Sequence, residues 1–270
     1  MNNLTGIYSG CIKGKNRESI DLDNLDLIKN ANFQSFFTSL YELYDVQALK
    51  NKAEKLGLIF TSIHAPFKGI NTIWQDGEDY KFIFNEIIKT INSASTCGVE
   101  TIVLHVSSTW RPPKICDLGL NRFDEIVNFA IQKGVKIAFE NLRVKEYLDV
   151  VMARYKTVKS VGFCYDFGHE SCYDGTKDIY LKDYGERLFA THIHDNEGRT
   201  IIDDTIKDDK HYLPLDGNID YKIIFDRLKS LGYNGPLTLE VVSDAKPSYK
   251  DLTPQEFVFL AYERLNKIIS

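Results

Sequence analysis

The chain holds only six histidines in 270 residues, and two of them, His192 and His194, stand one residue apart in the stretch THIHDN. On an extended strand both imidazoles would face the same way. His64 and His105 lie at the ends of the apolar runs LIFTSIH and ETIVLHV. Glu140 follows KIAF, Asp166 follows GFCY, His192 follows LFAT and Glu240 follows LTL, so an ionisable group recurs directly after each apolar segment. Burying a carboxylate at such a place without a partner is expensive. Six such groups can converge on one point if something positive balances them. A divalent cation does this, with neutral imidazoles and carboxylates as its ligands. The competing reading makes each residue a solvated strand end or a helix cap. For any one residue alone that is the commoner case. Such roles are independent of one another, however, and would not recur at the same point of successive units. Two further fragments extend the set. DFGH places His169 three residues after Asp166, where a tight loop can turn it back, and DKH places Asp209 and His211 on one side of an extended segment. The alternative for the latter is a solvated acidic loop.

Positioning these groups requires strands that end together. Eight short apolar runs serve: LTGIYS, FQSFFTSLY, LIFTSIH, ETIVLHV, VKIAFEN, SVGFCYDFGH, RLFATHIH and GPLTLEV. They have the continuous hydrophobic character of buried parallel strands. Helical spacing fills several gaps. VQALKNKAEKLG, YKFIFNEIIKTINSASTCG, NRFDEIVNFAIQKG and DYKIIFDRLKSLG each stop at a glycine. TPQEFVFLAYERLNKII opens with Thr253 as a cap and Pro254 in the first helical position. Eight strands alternating with helices predict an α/β fold, a (β/α)8 TIM barrel, as a single domain over residues 1–270. A doubly wound open sheet would gather its ligands at one switch point. Polar ends on the third through eighth strands favour a closed barrel with one mouth.

Composition is that of an ordinary globular chain, 43% hydrophobic and 26% charged, with a net charge of −5. The acidic balance argues against a nucleic acid partner, because duplex binding usually shows as a basic excess. Five cysteines, an odd number without CxxC spacing, read as reduced thiols in a cytoplasmic protein. The opening MNNLTGIYSG does not read as a signal peptide, and no apolar run approaches the ~20 residues of a membrane span.

The fragments HAP, LH, FEN, YDFGH, HIHD, DKHYLPLDGNID and LE, in this order and spacing, resemble the xylose-isomerase-like barrel superfamily. That group includes sugar isomerases, ketose 3-epimerases, inosose dehydratases and endonuclease IV-type apurinic endonucleases. In the isomerases and epimerases one metal is held by residues matching Glu140, Asp166, His192 and Glu240. In the endonuclease IV group three zinc ions add ligands matching His64, His105, His169, Asp209 and His211. By this resemblance His192 is a ligand, whereas His194 lines the site. Glu146 matches a second glutamate of the ketose epimerases. Their arginine six positions after the histidine ligand is absent, since Gly198 stands there and Arg199 follows.

Two activities are therefore expected. The first is a divalent-metal-dependent sugar or sugar-phosphate isomerase or epimerase working through an enediolate, with zinc foremost and Mn, Fe or Co as alternatives, one to three ions in all. There the metal holds substrate oxygens, and Glu140 and Glu240 exchange the proton. His169, with Glu146 behind it, binds a substrate oxygen. Trp110 and Phe67 stack on the sugar ring. Lys68, Arg111 and Arg143 on mouth-side loops meet a phosphate, and their competing role is that of solvated surface charges. The alternative activity is zinc-dependent phosphodiester hydrolysis at abasic DNA. A barrel that binds metal or sugar without turnover is a third reading, and the opposed acid pair argues against it.

Overall fold

All eight expected strands form. In a computed structural model describing residues 3–13, 17–174 and 179–270 they are β1 (Thr5–Tyr8), β2 (Ser35–Thr38), β3 (Ile59–His64), β4 (Thr101–Leu104), β5 (Lys136–Glu140), β6 (Val161–Asp166), β7 (Leu188–His192) and β8 (Leu237–Leu239). They pair in parallel in the order β7-β6-β5-β4-β3-β2-β1-β8. The helices are α1 (Arg17–Asn30), α2 (Leu43–Leu56), α3 (Tyr80–Cys97), α4 (Asp117–Lys133), α5 (Lys145–Arg154), the single turn α6 (Phe167–His169), α7 (Ile179–Tyr184), α8 (Tyr221–Ser230) and α9 (Pro254–Ile269). The architecture is the TIM barrel expected from the sequence. Gly98 and Gly134 end α3 and α4 at φ of 66° and 70°, a conformation that side chains with a Cβ resist. Thr253 and Glu256 form a reciprocal capping box on α9, with Pro254 in the first turn.

The ring is closed by a thin seam. β7 and β8 meet through one bridge, Ile193 to Leu239, with Ile193 N donating to Thr238 O at 2.8 Å and Glu240 N to Ile193 O at 2.9 Å. Below it the Thr191 hydroxyl replaces the ladder. It donates to Pro236 O at 3.0 Å and accepts from Thr238 N at 3.2 Å.

The period of two along each strand decides what the mouth contains. Ile102, Leu104, Ile137, Phe139, Val161, Phe163 and Tyr165 point outward into the apolar layer shared with the helices. The alternate residues Val103, Ala138, Cys164 and Ala190 form a separate small cluster inside the ring. Two residues further along this inward face stand His105, Glu140, Asp166 and His192. Strand register staggers them: Asp166 lies opposite His192, whereas Glu140 lies opposite Cys164, one inward position below Asp166. A layer of small apolar side chains thus forms the floor, and the ionisable groups sit on it at the C-terminal ends of the strands.

One buried cation organises the rim. Arg122 of α4 is 6% exposed and donates from Nη1 to the carbonyl oxygens of Ile73 (2.9 Å), Gln75 (2.6 Å) and Thr72 (3.3 Å), and from Nη2 to that of Gly77 (3.2 Å). Its guanidinium lies 3.5 Å from the centroid of the Tyr80 ring. This fixes the segment between β3 and α3, which carries Phe67 and Trp74.

Candidate metal centre

Glu140 is the hub of the inward layer and is wholly buried. Its Oε2 lies 2.7 Å from His105 Nε2 and 3.3 Å from His64 Nε2. Its Oε1 lies 2.6 Å from His192 Nδ1, which is itself 3.0 Å from Glu240 Oε2. One donor atom each from Glu140, Asp166, His192 and Glu240 falls within a 4.8 Å span. Phe37 stacks on the His192 ring with centroids 4.5 Å apart, which holds that imidazole from its apolar side.

A second group adjoins the first. Asp166 Oδ1 accepts from His169 N at 2.7 Å, capping the turn that brings His169 back over the mouth. His194 Nε2 is 3.0 Å from Asp166 Oδ1 and 3.4 Å from Asp209 Oδ1. Asp209 Oδ2 in turn lies 3.3 Å from His169 Nε2 and 3.4 Å from His211 Nε2. The returning loop is pinned by Asp195, which pairs its backbone with Tyr212 and accepts from the amides of Asn196, Leu215 and Ile219.

Tautomers are set from outside the cluster. Nδ1 of His64, His169 and His211 donates to the carbonyl oxygens of Ala65 (2.8 Å), Asn141 (2.9 Å) and Glu240 (2.7 Å), leaving each Nε2 aimed at a carboxylate. A carbonyl clamp on the far nitrogen is how metal-binding imidazoles are oriented. Asn141 also joins the ends of β5 and β6, donating to Asp166 O at 2.8 Å and accepting from Asp166 N at 2.7 Å. Among the described residues, Asp166 Oδ2, Asp209 Oδ1 and both ring nitrogens of His194 are buried without a hydrogen-bond partner. Buried polar atoms are rarely left so. Lone pairs converging on one another at 3–3.4 Å in poor hydrogen-bond geometry suit a cation between them. The donor set therefore fits a divalent ion.

Electrostatics agree. Burial alone would raise Glu140, but the charge on His192 and the bonds from His105, His192 and His64 hold its carboxyl well below the usual range. Glu240, opposed in the same way by burial, is brought down to about 2 by His192 and His211. Burial lowers His169 and His211, yet Asp166 and Asp209 for the first and Asp209 for the second outweigh it and raise both to about 10. Asp209 is correspondingly held far down despite burial. Without metal these pairs shape the pH profile of stability. Raised histidines stabilise fully below their unfolded value of 6.5 and lose that stabilisation as the pH climbs towards about 10. Depressed carboxylates stabilise above their unfolded values of 3.8 and 4.5 and lose it as the pH falls. Chelator-treated protein is thus expected to melt highest between about pH 4.5 and 6.5, with the midpoint falling on both sides in calorimetry. A midpoint flat from pH 6.5 to 10 would contradict the pairing.

The structure brings the nine expected ligands into two adjoining groups, His64, His105, Glu140, His192 and Glu240 in one and Asp166, His169, Asp209 and His211 in the other, which meet where Asp166 comes within 4.8 Å of Glu140, His192 and Glu240 and where His211 Nδ1 donates to Glu240 O. Beside them opens a cavity of about 450 Å³, lined by His64, His211 and Glu240 on the metal side and by Tyr8, Tyr41, Phe67, Lys13 and Lys68 towards solvent. Phe67 stacks on His105 at 4.3 Å and is 48% exposed, so its outer face is open. Trp110 lies further round the rim, edge-on to Tyr173 at 5.7 Å. Arg143 lies over the other aromatic partner, its guanidinium 4.4 Å from the Tyr173 ring, and Tyr173 stacks on His169. Glu146 sits exposed on the first turn of α5, and none of its described contacts reaches the cluster. The bonds from Thr205, and after them the charge of Arg111, hold the Asp203 carboxyl down. Sequence reasoning did not find Lys13, Tyr8, Tyr173 or Asn141. Only Asn141 carried a signal, its place directly after Glu140.

Residues 25–261 match the family of xylose isomerase-like TIM barrels, and the chain belongs to that family. It is 28% identical over 264 residues to the uncharacterized protein y4fM of Sinorhizobium fredii, covering 82% of this chain and 81% of the relative. Among solved structures it superposes on the IOLI protein with a bound zinc atom at a TM-score of 0.77 and 18% identity, over 98% of both chains. D-allulose 3-epimerase from Methylomonas sp., solved with D-allulose, superposes at a TM-score of 0.76 and 14% identity, over 98% of this chain and 97% of that one. At such identities the likeness is one of fold. Among the described residues no helix is long and apolar enough to cross a membrane.

Proposed function

We propose that the protein is a divalent-metal-dependent isomerase or epimerase of a small sugar or sugar phosphate. The observation that carries this reading is the carboxylate-rich group Glu140, Asp166, His192 and Glu240, of which Glu240 lines a sugar-sized cavity. These four residues would hold the ion. When bound, it would supply Lewis-acid stabilisation of negative charge developing on a substrate oxygen.

The chain's own groups do the rest. Glu240 lines the cavity and is ionised at neutral pH, so it is placed to take a proton from a carbon next to a carbonyl and to return one. Glu140 lies beneath it, enclosed by three imidazoles, which makes it a ligand first and the acid–base partner on the opposite side second. Phe67 offers its open face to a ring or carbon chain. Lys13 and Lys68 stand at the outer rim, where they would meet an anionic end of the substrate. The family and the epimerase among the structural neighbours support sugar chemistry. Five free cysteines, four of them buried, suit a reducing, cytoplasmic setting.

The test is a panel of aldoses, ketoses and their phosphates in deuterated water, read by exchange at the substrate carbon. Exchange is expected with one sugar group, lost on chelation and restored by Zn, Mn or Co. No exchange across the panel in metal-replete protein overturns the reading. The nine-residue ligand set also suits hydrolysis at abasic DNA. The loop that crosses the mouth carries Asp203, Asp204, Asp208 and Asp209, and phosphate contacts need the opposite charge. Weak binding of an abasic duplex is therefore expected. Tight, salt-sensitive binding with strand cleavage would reverse the order of the two activities.

A further inference from the structure

We propose that residues 199–208 form a hinged strap latched shut across the mouth, with the Asp204 carboxylate on the Trp110 amide as its catch, and that its release opens the β4-to-β6 side of the site. The loop leaves β7, and its feet are pinned together by the antiparallel bridge of Asp195 with Tyr212, whose two backbone bonds are 2.9 and 3.0 Å long. Above the feet, Thr200 donates from N and Oγ1 to Asp208 at 3.3 and 3.2 Å and closes a neck. The tip reaches the loop after β4, where Trp110 N donates to Asp204 Oδ1 at 2.8 Å. The ring order puts β4 opposite β8, and His211 at the returning foot donates to Glu240 O beside the end of β8. A loop rooted there with its tip on β4 spans the opening.

Among the described residues, little else holds the tip. Ile201, Ile202 and Ile206 are 55%, 63% and 39% exposed, so apolar burial does not seat it. The grip is polar and gathered at one place. Beside the Asp204 bond, Arg199 donates from Nη1 to Tyr173 O, and its guanidinium lies 5.3 Å from the Trp110 ring. This arginine, one position beyond that of the ketose epimerases, is thus turned to the rim. The receiving loop is built for the contact. Asn71 holds Ser108 from both sides, donating to its O at 2.9 Å and accepting from its N at 2.8 Å. Thr109, next in the chain, has a φ of 67°, which a β-branched residue resists. Such backbone persists where surrounding contacts hold it, and the Asp204 bond to the following amide is one of them. A loop fastened at its feet and at one distant polar contact opens at that contact first. His169, 6% exposed, lies under the strap: Tyr173 stacks on its ring and gives its carbonyl to Arg199. His64 is as deeply buried, at 5% exposed, but lines the cavity outside it. This goes beyond the isomerase reading, because the strap controls access whatever chemistry the mouth performs.

The experiment labels the histidines of chelator-treated, full-length protein with diethylpyrocarbonate and follows each by peptide mass. Asp204→Ala is expected to speed labelling of His169 by about tenfold, the effect of losing one hydrogen bond to a charged group. The rate at His64 is expected to stay as in wild type. Equal His169 rates in wild type and a folded Asp204→Ala variant overturn the proposal. A parallel rise at His64 overturns it too, since the variant would then loosen the whole barrel. A second measurement on unaltered protein covers a variant that does not fold: amide hydrogen exchange. The amides of Trp110 and Thr200, bonded to Asp204 and Asp208, are expected to exchange together and well ahead of the strands. A Trp110 amide that exchanges only with the barrel strands overturns the latch. Neither measurement uses a sugar, so the isomerase reading stands or falls separately.

Discussion

Glu240→Gln is expected to abolish nearly all turnover, by about 10²–10⁴-fold, while the barrel stays folded. Glutamine keeps the size and one acceptor oxygen but loses the charge and the titratable proton. Glu240 is the carboxylate that lines the cavity, and it is held ionised by His192 and His211. Those imidazoles would lose a counter-charge, so metal affinity is expected to fall modestly. The variant is expected to lose the stabilisation of the Glu240–His192 pair, while the apolar layers below keep the barrel folded. The measurement is exchange at the carbon of the sugar found active in deuterated water, with metal content and melting midpoint taken on the same sample. Near-normal exchange would remove Glu240 from the mechanism. An unfolded variant would assign it a structural role instead.

The largest stability effect is expected far from the chemistry, at Arg122→Met. Methionine keeps the apolar stem but removes the charged donors from four carbonyl oxygens and the stack on Tyr80. Hydrogen bonds to a charged group are the stronger kind, and buried acceptors left unpaired are costly. The four bonds share one group and will not add, so a loss of about 3–5 kcal/mol is expected. In a chain of this size that lowers the melting midpoint by on the order of 10 °C. Faster amide exchange should be confined to the segment between β3 and α3. A midpoint within a degree or two of wild type would show that water replaces the guanidinium.

Much of this was legible in the sequence because the barrel repeats a simple rule. Each strand is a buried run with a polar residue at its far end, and a period of two then puts Glu140, Asp166 and His192 inside. Helices with clear apolar faces and glycine stops, α2, α3 and α4, were legible for the same reason. The helix α1 was not, since RESIDLDNLDLIKN alternates acids with leucines and shows no clean stripe. Arg122 was invisible because its partners are backbone carbonyls some 45 to 50 residues away. Spacing showed that His192 and His194 share a face. It could not show that a loop returns Asp209 to His194, a contact that depends on the Asp195–Tyr212 bridge. Glu146 matched by position only, and α5 carries it outward.

The closing seam bears on how the protein is made and how long it lasts. β7 and β8 share a single bridge, yet each delivers a proposed ligand beside it, His192 on one lip and Glu240 on the other. An ion held by both acts as a rivet across the joint where the ring is most easily prised apart. β8 also leaves the ribosome after the other seven strands, so in the proposed metal-bound form capture of the ion would be the act that fastens the last stave. Cellular metal supply would then govern the lifetime of the folded chain against proteases, and scarcity would be felt as falling abundance before it was felt as slower catalysis.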